Sequence, residues 1–174
     1  MKKLELQLFA EAVQGKDIVY LFRKLSTAAD KDAVIMAFTT ENERTKSKDA
    51  DSVVTKDGSI RVPGGVEIEI TATALLAKGE PMAEELEDAM DDDELIEIWE
   101  VNMGEAGDGE NKFKARYFQG YLTEFSLSSS AEDHAEYSTT FAINGSGAKG
   151  EVTLTKEQQE LAIYVFADTQ KTGA

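Results

Sequence analysis

The chain has 174 residues, enough for one ordinary domain, and Val, Ile, Leu and Phe supply 40 of them, so a hydrophobic core is within reach. Its 34 acids against 18 bases give a net charge of −16, which argues against general nucleic-acid binding and against adsorption to anionic membranes. With no Cys and one His, thiol chemistry, disulfides and a cysteine–histidine zinc site drop out, and no apolar run approaches the roughly 20 residues of a membrane span.

Leu4, Leu6 and Leu8 alternate with Glu5 and Gln7, which predicts an extended N-terminal arm over residues 1–14; the two acid/amide breaks are unlike a signal peptide. Lys16-Asp-Ile-Val-Tyr-Leu-Phe-Arg23 reads as a strand apolar on both faces, hence a central one. Val34-Ile-Met-Ala-Phe38 is the next strand, after a turn over residues 29–32. Residues 39–63 are polar with both charge signs interspersed, an irregular segment long enough to be functional. Within it, Asp57-Gly58 predicts a hairpin turn between Val53-Val54-Thr55 and Ile60-Arg61-Val62. Val66, Ile68, Ile70, Ala72 and Ala74 then alternate with Glu67, Glu69, Thr71 and Thr73, a strand with one buried and one wet face.

Pro81 and the acids Glu80, Glu84 and Glu85 open a helix with Met82, Leu86, Ala89 and Met90 as its stripe, which should stop before Asp91-Asp92-Asp93. Leu95-Ile-Glu-Ile-Trp-Glu-Val101 is a strand, followed by a loop over residues 104–111. Residues 113–127 read as a long strand bent at Gly120. In residues 135–143, Tyr137, Phe141 and Ile143 point inward and Glu136, Ser138 and Thr140 outward. Asn144-Gly-Ser-Gly turns into the strand Glu151-Val-Thr-Leu-Thr155, and Thr155-Lys-Glu-Gln158 is a capping box for a helix running to about residue 167. Strands without regular βαβ alternation predict a mainly β fold: an antiparallel β-sandwich or barrel with one flanking α-helix and a C-terminal helix, in one domain over 1–174.

Charge is unevenly placed. The net is +1 through residue 66 and −17 from residue 67 on, and residues 80–110 hold 14 carboxylates and no Lys or Arg. A solvated acidic face accounts for most such patterns; a division between a near-neutral end and a negative surface would also serve a head-to-tail assembly.

Several motifs fail on their context. Gly145-Ser-Gly147-Ala-Lys-Gly150 matches a dinucleotide pattern, but a strand follows where a helix N-terminus is needed. Asp49/Asp51 and Asp108/Glu110 lack the remaining calcium-loop positions. Asp133 and His134 are neighbours that a strand would point apart, and no G-x-S-x-G elbow supplies a serine. Paired carboxylates for glycoside hydrolysis carry no weight in a chain with 34 acids. Trp99, Tyr117, Phe118, Tyr121 and Phe125 read as core or interface before they read as a base-stacking platform. The residues therefore point to no catalytic, cofactor or metal site, and to no enzyme.

An ordered set of segments carries a family likeness. It begins at Gln14-Gly-Lys-Asp-Ile-Val-Tyr-Leu-Phe-Arg23, Ala37-Phe-Thr-Thr-Glu-Asn42, Lys46-Ser-Lys-Asp-Ala-Asp51 and Thr55-Lys-Asp-Gly-Ser-Ile-Arg61-Val-Pro-Gly64. Tyr117-Phe-Gln-Gly-Tyr121, Ser138-Thr-Thr-Phe141, Gly145-Ser-Gly-Ala-Lys-Gly150 and Thr155-Lys-Glu-Gln-Gln-Glu160 continue it. Together these resemble the major tail protein, or tail tube protein, of long-tailed non-contractile phages and prophages of Gram-positive hosts.

The resemblance implies a β-sandwich flanked by a helix, assembled as hexameric rings stacked into a hollow tube. Its lumen would be a continuous β-barrel that conducts genomic DNA without specific binding. The implied partners are further copies of the chain and other tail proteins (tape measure, tail terminator, tail tip), with no cofactor and no membrane. The implied location is the virion tail, and the host cytoplasm during assembly. An extended element must reach the next ring, and the 39–63 loop or hairpin suits that task through Glu41, Arg44, Lys46, Lys48, Asp49 and Asp51. Glu67, Glu69, Thr71 and Thr73 are the lumen-facing candidates. The alternative is a soluble acidic β-protein acting as a DNA-mimic inhibitor.

Overall fold

Residues 11–162 are described by the computed structural model. Eight strands build one antiparallel sheet: β1 (Ile18–Lys24), β2 (Val34–Ile35), β3 (Thr39–Thr55), β4 (Gly58–Leu75), β5 (Ile96–Ala106), β6 (Lys112–Ser128), β7 (Glu136–Ile143) and β8 (Ala148–Thr153). Two α-helices, α1 (Met82–Asp91) and α2 (Lys156–Ala162), and two single 3-10 turns, Gly15–Asp17 and Leu25–Thr27, complete the described chain. The strand order is β2-β1-β5-β6-β7-β4-β3, and β8 pairs with the first half of β6.

The core explains why some strands alternate and others do not. Ile68, Ile70, Ala72 and Ala74 of β4, Tyr137 and Phe141 of β7, Phe118 and Leu122 of β6, and Phe22 of β1 share one buried cluster. Helix α1 closes it with Met82, Ala83, Leu86 and Ala89; of the predicted stripe, Met82, Leu86 and Ala89 are buried and Met90 packs partly buried at its edge, while Ala83 lies outside that prediction. On the opposite face, Val19 and Leu21 of β1 pack with Val101 of β5 and with Leu154 beyond β8. Strand β1 therefore buries alternate residues in two different clusters, which is why it reads as apolar throughout. The sheet also curls back on itself, because Arg44 of β3 reaches Glu100 of β5.

Local details follow from the chain's own chemistry. Helix α1 runs one residue into the acidic run before Asp93, at φ 52°, turns the chain back toward β5. At Gly120 a Cβ would collide with the Ala142 carbonyl, and the β6–β7 register shifts just beyond, between Leu122 and Glu124. Gly145 and Gly147, both at φ 69°, form the β7–β8 turn, and strand β8 follows it. The capping box is made: the Thr155 N–H donates to Gln158 Oε1 at 2.9 Å and the Gln158 N–H to Thr155 Oγ1 at 3.2 Å.

The structure corrects the reading of residues 39–63. The stretch is no irregular loop: 39–55 is one strand, paired with β4 from Thr39↔Ala74 to Thr55↔Gly58 with register shifts at Thr39/Glu41 and Lys48/Ala50. Backbone pairing, which any sequence can supply, holds it, and its side chains are polar because beyond Arg44 both faces are exposed. Strand β2 covers only two residues of the five predicted, and β5 continues past Gly104 to Ala106, shortening the predicted loop. Residues 1–10 of the predicted arm and the predicted helical residues past 162 lie outside the described residues.

Candidate assembly surfaces

The register of β3, β4, β7 and the second half of β6 defines a four-stranded wall. Glu67, Glu69, Thr71 and Thr73 stand on the face opposite the core, as predicted. Pairing places Glu41, Glu43, Thr45 and Ser47 of β3 beside them on one side. On the other side come Glu136, Ser138, Thr140 and Ala142 of β7, then Tyr121, Glu124, Ser126 and Ser128 of β6. The wall thus bears six carboxylates, a hydroxyl-rich remainder and no Lys or Arg among these positions. Its hydroxyls bond laterally: Thr73 Oγ1 and Ser138 Oγ lie 3.0 Å apart, and Thr123 Oγ1 donates to the Thr140 carbonyl at 3.2 Å.

Both sides of this wall are open. Among the described residues, strand β3 pairs only with β4. Strand β6 pairs with β5 up to Gly120, so from Tyr121 to Ser128 its edge away from β7 carries no strand among the described residues. The two free edges run in opposite directions, so each is a template for the other in a second copy. At the start of β3 stands Phe38, 69% exposed and held at φ 51°, a conformation in which a bulky side chain is a genuine outlier.

Behind the wall, Glu100 ties β3 to the rest of the sheet. Tyr20 Oη donates to its carboxylate at 2.7 Å, Arg44 Nε at 2.6 Å, and Arg116 Nε lies 3.6 Å away. Burial raises the Tyr20 hydroxyl above its ordinary pKa, and the adjacent Glu100 carboxylate adds to the shift. The Arg44 guanidinium is raised chiefly by its hydrogen bond to Glu100, against the opposing effect of burial. A second engaged acid, the buried Glu97, accepts from Arg23 Nε at 2.7 Å and Tyr117 Oη at 2.7 Å, on the face where Arg23 also stacks on Trp99. Tyr117 is raised by burial first and by Glu97 second.

The six loop candidates do not form one surface. Glu41 lies on the acidic wall, Arg44 is engaged by Glu100 within its own chain, and Lys46 and Lys48 point to the helix side. Asp49 sits at a register shift and Asp51 on the distal hairpin. That hairpin, residues 50–63, is exposed throughout and carries a solvent-facing apolar patch of Val53, Ile60 and Val62 on one face, with Val54 81% exposed on the other. Sequence reasoning missed Phe38, Glu43 and Glu124. The two glutamates needed the β3–β4 register and the β6 bulge to be assigned a face, and neither is encoded in local alternation. Among the other singled-out residues, Phe118 is buried, Trp99 pairs with Tyr117 at 5.3 Å, and Tyr121 stands exposed on the acidic wall.

Comparison with known proteins gives a consistent answer. A family profile described as "Phage tail tube protein" matches residues 12–149. A "Putative tail protein" of Staphylococcus phage phiMR25 is 37% identical over 172 residues, covering 95% of this chain and 87% of that protein. The SPP1 tail tube shares the fold at a TM-score of 0.74 and 21% identity, with 93% of both chains covered. The tail of an empty gene transfer agent particle, refined with C6 symmetry, is similar at a TM-score of 0.60 and 16% identity, covering 79% of this chain and 98% of that one.

Proposed function

The chain belongs to the phage tail tube protein family, a structural role in the virion tail, and from that premise we propose that its copies close into stacked six-membered rings. The observation that carries the reading is the wall of β3, β4, β7 and β6 with two free, oppositely directed edges. Edge β3 of one copy adds to edge β6 of the next. Four strands per copy keep the alternation antiparallel all the way round, so the ring closes with no edge left. Its inner surface is then the face of Glu67, Glu69, Thr71 and Thr73, joined by Glu41, Glu43, Glu124 and Glu136. Such a lumen repels phosphate and lets genomic DNA pass without binding it.

Residues 50–63 project beyond the wall and reach the adjacent ring, where Val53, Ile60 and Val62 find cover that their own chain does not give. Stacking of this kind is heterologous and runs on along the tail until a capping protein of different shape ends it. Other tail proteins (tape measure, terminator and tip) are the further partners, assembly takes place in the host cytoplasm, and no catalytic step is assigned to the chain. Electron microscopy of the purified protein tests the reading: six-fold rings or tubes are expected. A protein that stays monomeric or dimeric at high concentration and competes with DNA for a DNA-binding enzyme would be the acidic mimic instead.

A further inference from the structure

The ring reading, on which this step rests, leaves a charge pattern at the joint to be explained. On β3, Arg44, Lys46 and Lys48 share the face that carries Ile70, Ile68 and Val66 on β4, the face against which α1 packs. Arg44 is bound by Glu100, whereas Lys46 and Lys48 are exposed and make no ion pair among the described residues. The chain leaving α1 presents Asp91, Asp92 and Asp93, also exposed and unpaired among the described residues, and enters β5 at Ile96.

Within one copy, register sets these two groups at the same level of the sheet, on strands that the ring would make neighbours. Lys46 pairs with Ile68, which lies one residue beyond the Glu69↔Ala142 pair and so opposite Ile143. Ile143 pairs with Gly120, and Gly120 with Ile96. Lys46 therefore occupies the row at which β5 begins. A second copy's β3, laid antiparallel along the free edge from Tyr121 to Ser128, covers that edge with the residues before Lys46. At Lys46 and Lys48 it meets the start of β5 and the aspartates that precede it, on the same side of the sheet.

We propose that Lys46 and Lys48 of one copy are clasped by Asp91, Asp92 and Asp93 of the next, outside the lumen, making the lateral joint of the ring an electrostatic clasp as well as a strand pairing. The occupant is a second copy because the charges are complementary and the two edges belong to one chain. The arrangement also separates the signs: bases stay on the outer side of β3 while its inner side stays acidic. It sets direction too, since like edges would bring lysines against lysines.

Zero-length carbodiimide coupling of assembled wild-type tubes, followed by peptide mass spectrometry, reads the contact directly. Amide cross-links between Lys46 or Lys48 and Asp91, Asp92 or Asp93, with a covalent ladder of subunits, are expected, and intact tubes lacking them overturn the clasp. The variant Lys46→Glu with Lys48→Glu should keep its melting temperature and lose tubes. Adding Asp91→Lys with Asp92→Lys should bring them back. Normal tubes from the first variant, or no recovery in the folded swap, overturn the clasp while leaving the ring reading intact. A wild-type protein that forms neither rings nor tubes overturns both.

Discussion

Replacing Glu100 by Ala tests whether β3 is held in place by this half-buried tie rather than by strand pairing alone. The change removes the acceptor for Tyr20 Oη at 2.7 Å and Arg44 Nε at 2.6 Å, and the counter-charge of Arg116 at 3.6 Å. Breaking a fully buried pair costs about 3–5 kcal/mol, and an exposed pair is worth about 0.2–1 kcal/mol. Glu100 and Arg44 keep 15% and 24% of their side-chain exposure, so water can relieve part of the loss and the site falls between these limits. The expected destabilisation is about 2–3 kcal/mol, or roughly a 1 M fall in the urea midpoint for a small protein. The neighbouring Lys114–Glu105 pair is at least half exposed on both sides, so Glu105→Ala should cost less than about 1 kcal/mol. Urea unfolding followed by Trp99 fluorescence gives both numbers. Tyr20→Phe should destabilise the wild type by about 1 kcal/mol and have little further effect in the Glu100→Ala background, because the bond it removes is already gone. A neutral Glu100→Ala, or strictly additive effects with Tyr20→Phe, would refute the tie.

Two further outcomes follow from the packing and the register. Leu86 is 2% exposed in the cluster under α1, so Leu86→Ala should cost about 2–5 kcal/mol in thermal or urea unfolding, while Glu84→Ala on the solvent face should change stability by less than about 0.5 kcal/mol. Deleting residues 50–63 joins Asp49 to Gly64 and leaves Asp-Gly-Gly as a short turn between Lys48 and Val66, which already pair. Circular dichroism and melting should stay close to wild type, single rings should still form, and long tubes should be lost; tubes of normal length would remove the arm from the stacking contact.

Legibility in the sequence tracked one physical condition: whether a segment has one buried and one wet face. Strand β4 does, and its alternation alone placed Glu67, Glu69, Thr71 and Thr73 correctly opposite the core. Helix α1 does too, and its stripe was readable to within a residue. Strand β3 does not. Beyond Arg44 both of its faces are exposed, so no periodicity distinguishes strand from loop, and the sequence predicts an irregular segment there. The wall depends on that strand, and so do its acids Glu41 and Glu43. Free edges are invisible for another reason: that the edge of β6 away from β7 is paired up to Gly120 and, among the described residues, carries no strand beyond it is a property of where β5 begins, 24 residues earlier in the chain. Glu97 and Glu100 are three apart and so fall on opposite faces of β5, and only the fold shows that each is met by an arginine and a tyrosine.

The lumen assignment has the sharpest consequence. Glu69, paired with Ala142, stands at the end of the four-stranded wall and Glu67 just beyond it, both exposed and beside Thr45 and Ser47 of β3. A Glu67→Lys, Glu69→Lys variant changes four charges per copy without touching Ile68 or Ile70, so the fold and both free edges should survive. Duplex DNA carries one charge per about 1.7 Å, and bound lysines release counterions with an affinity that falls steeply as salt rises. Two lysines per copy, repeated around each ring and along every ring of a tail, turn a repelling wall into a ladder of phosphate sites. The expected phenotype is therefore specific: tails of normal length containing the variant, DNA ejection that slows or stalls at low ionic strength, and recovery as salt is raised. A charge change on the outer surface would alter solubility or adsorption and leave ejection untouched at every salt concentration. Unimpaired low-salt ejection through tails shown to contain the variant would put this face outside and leave the acidic wall as a solvated surface.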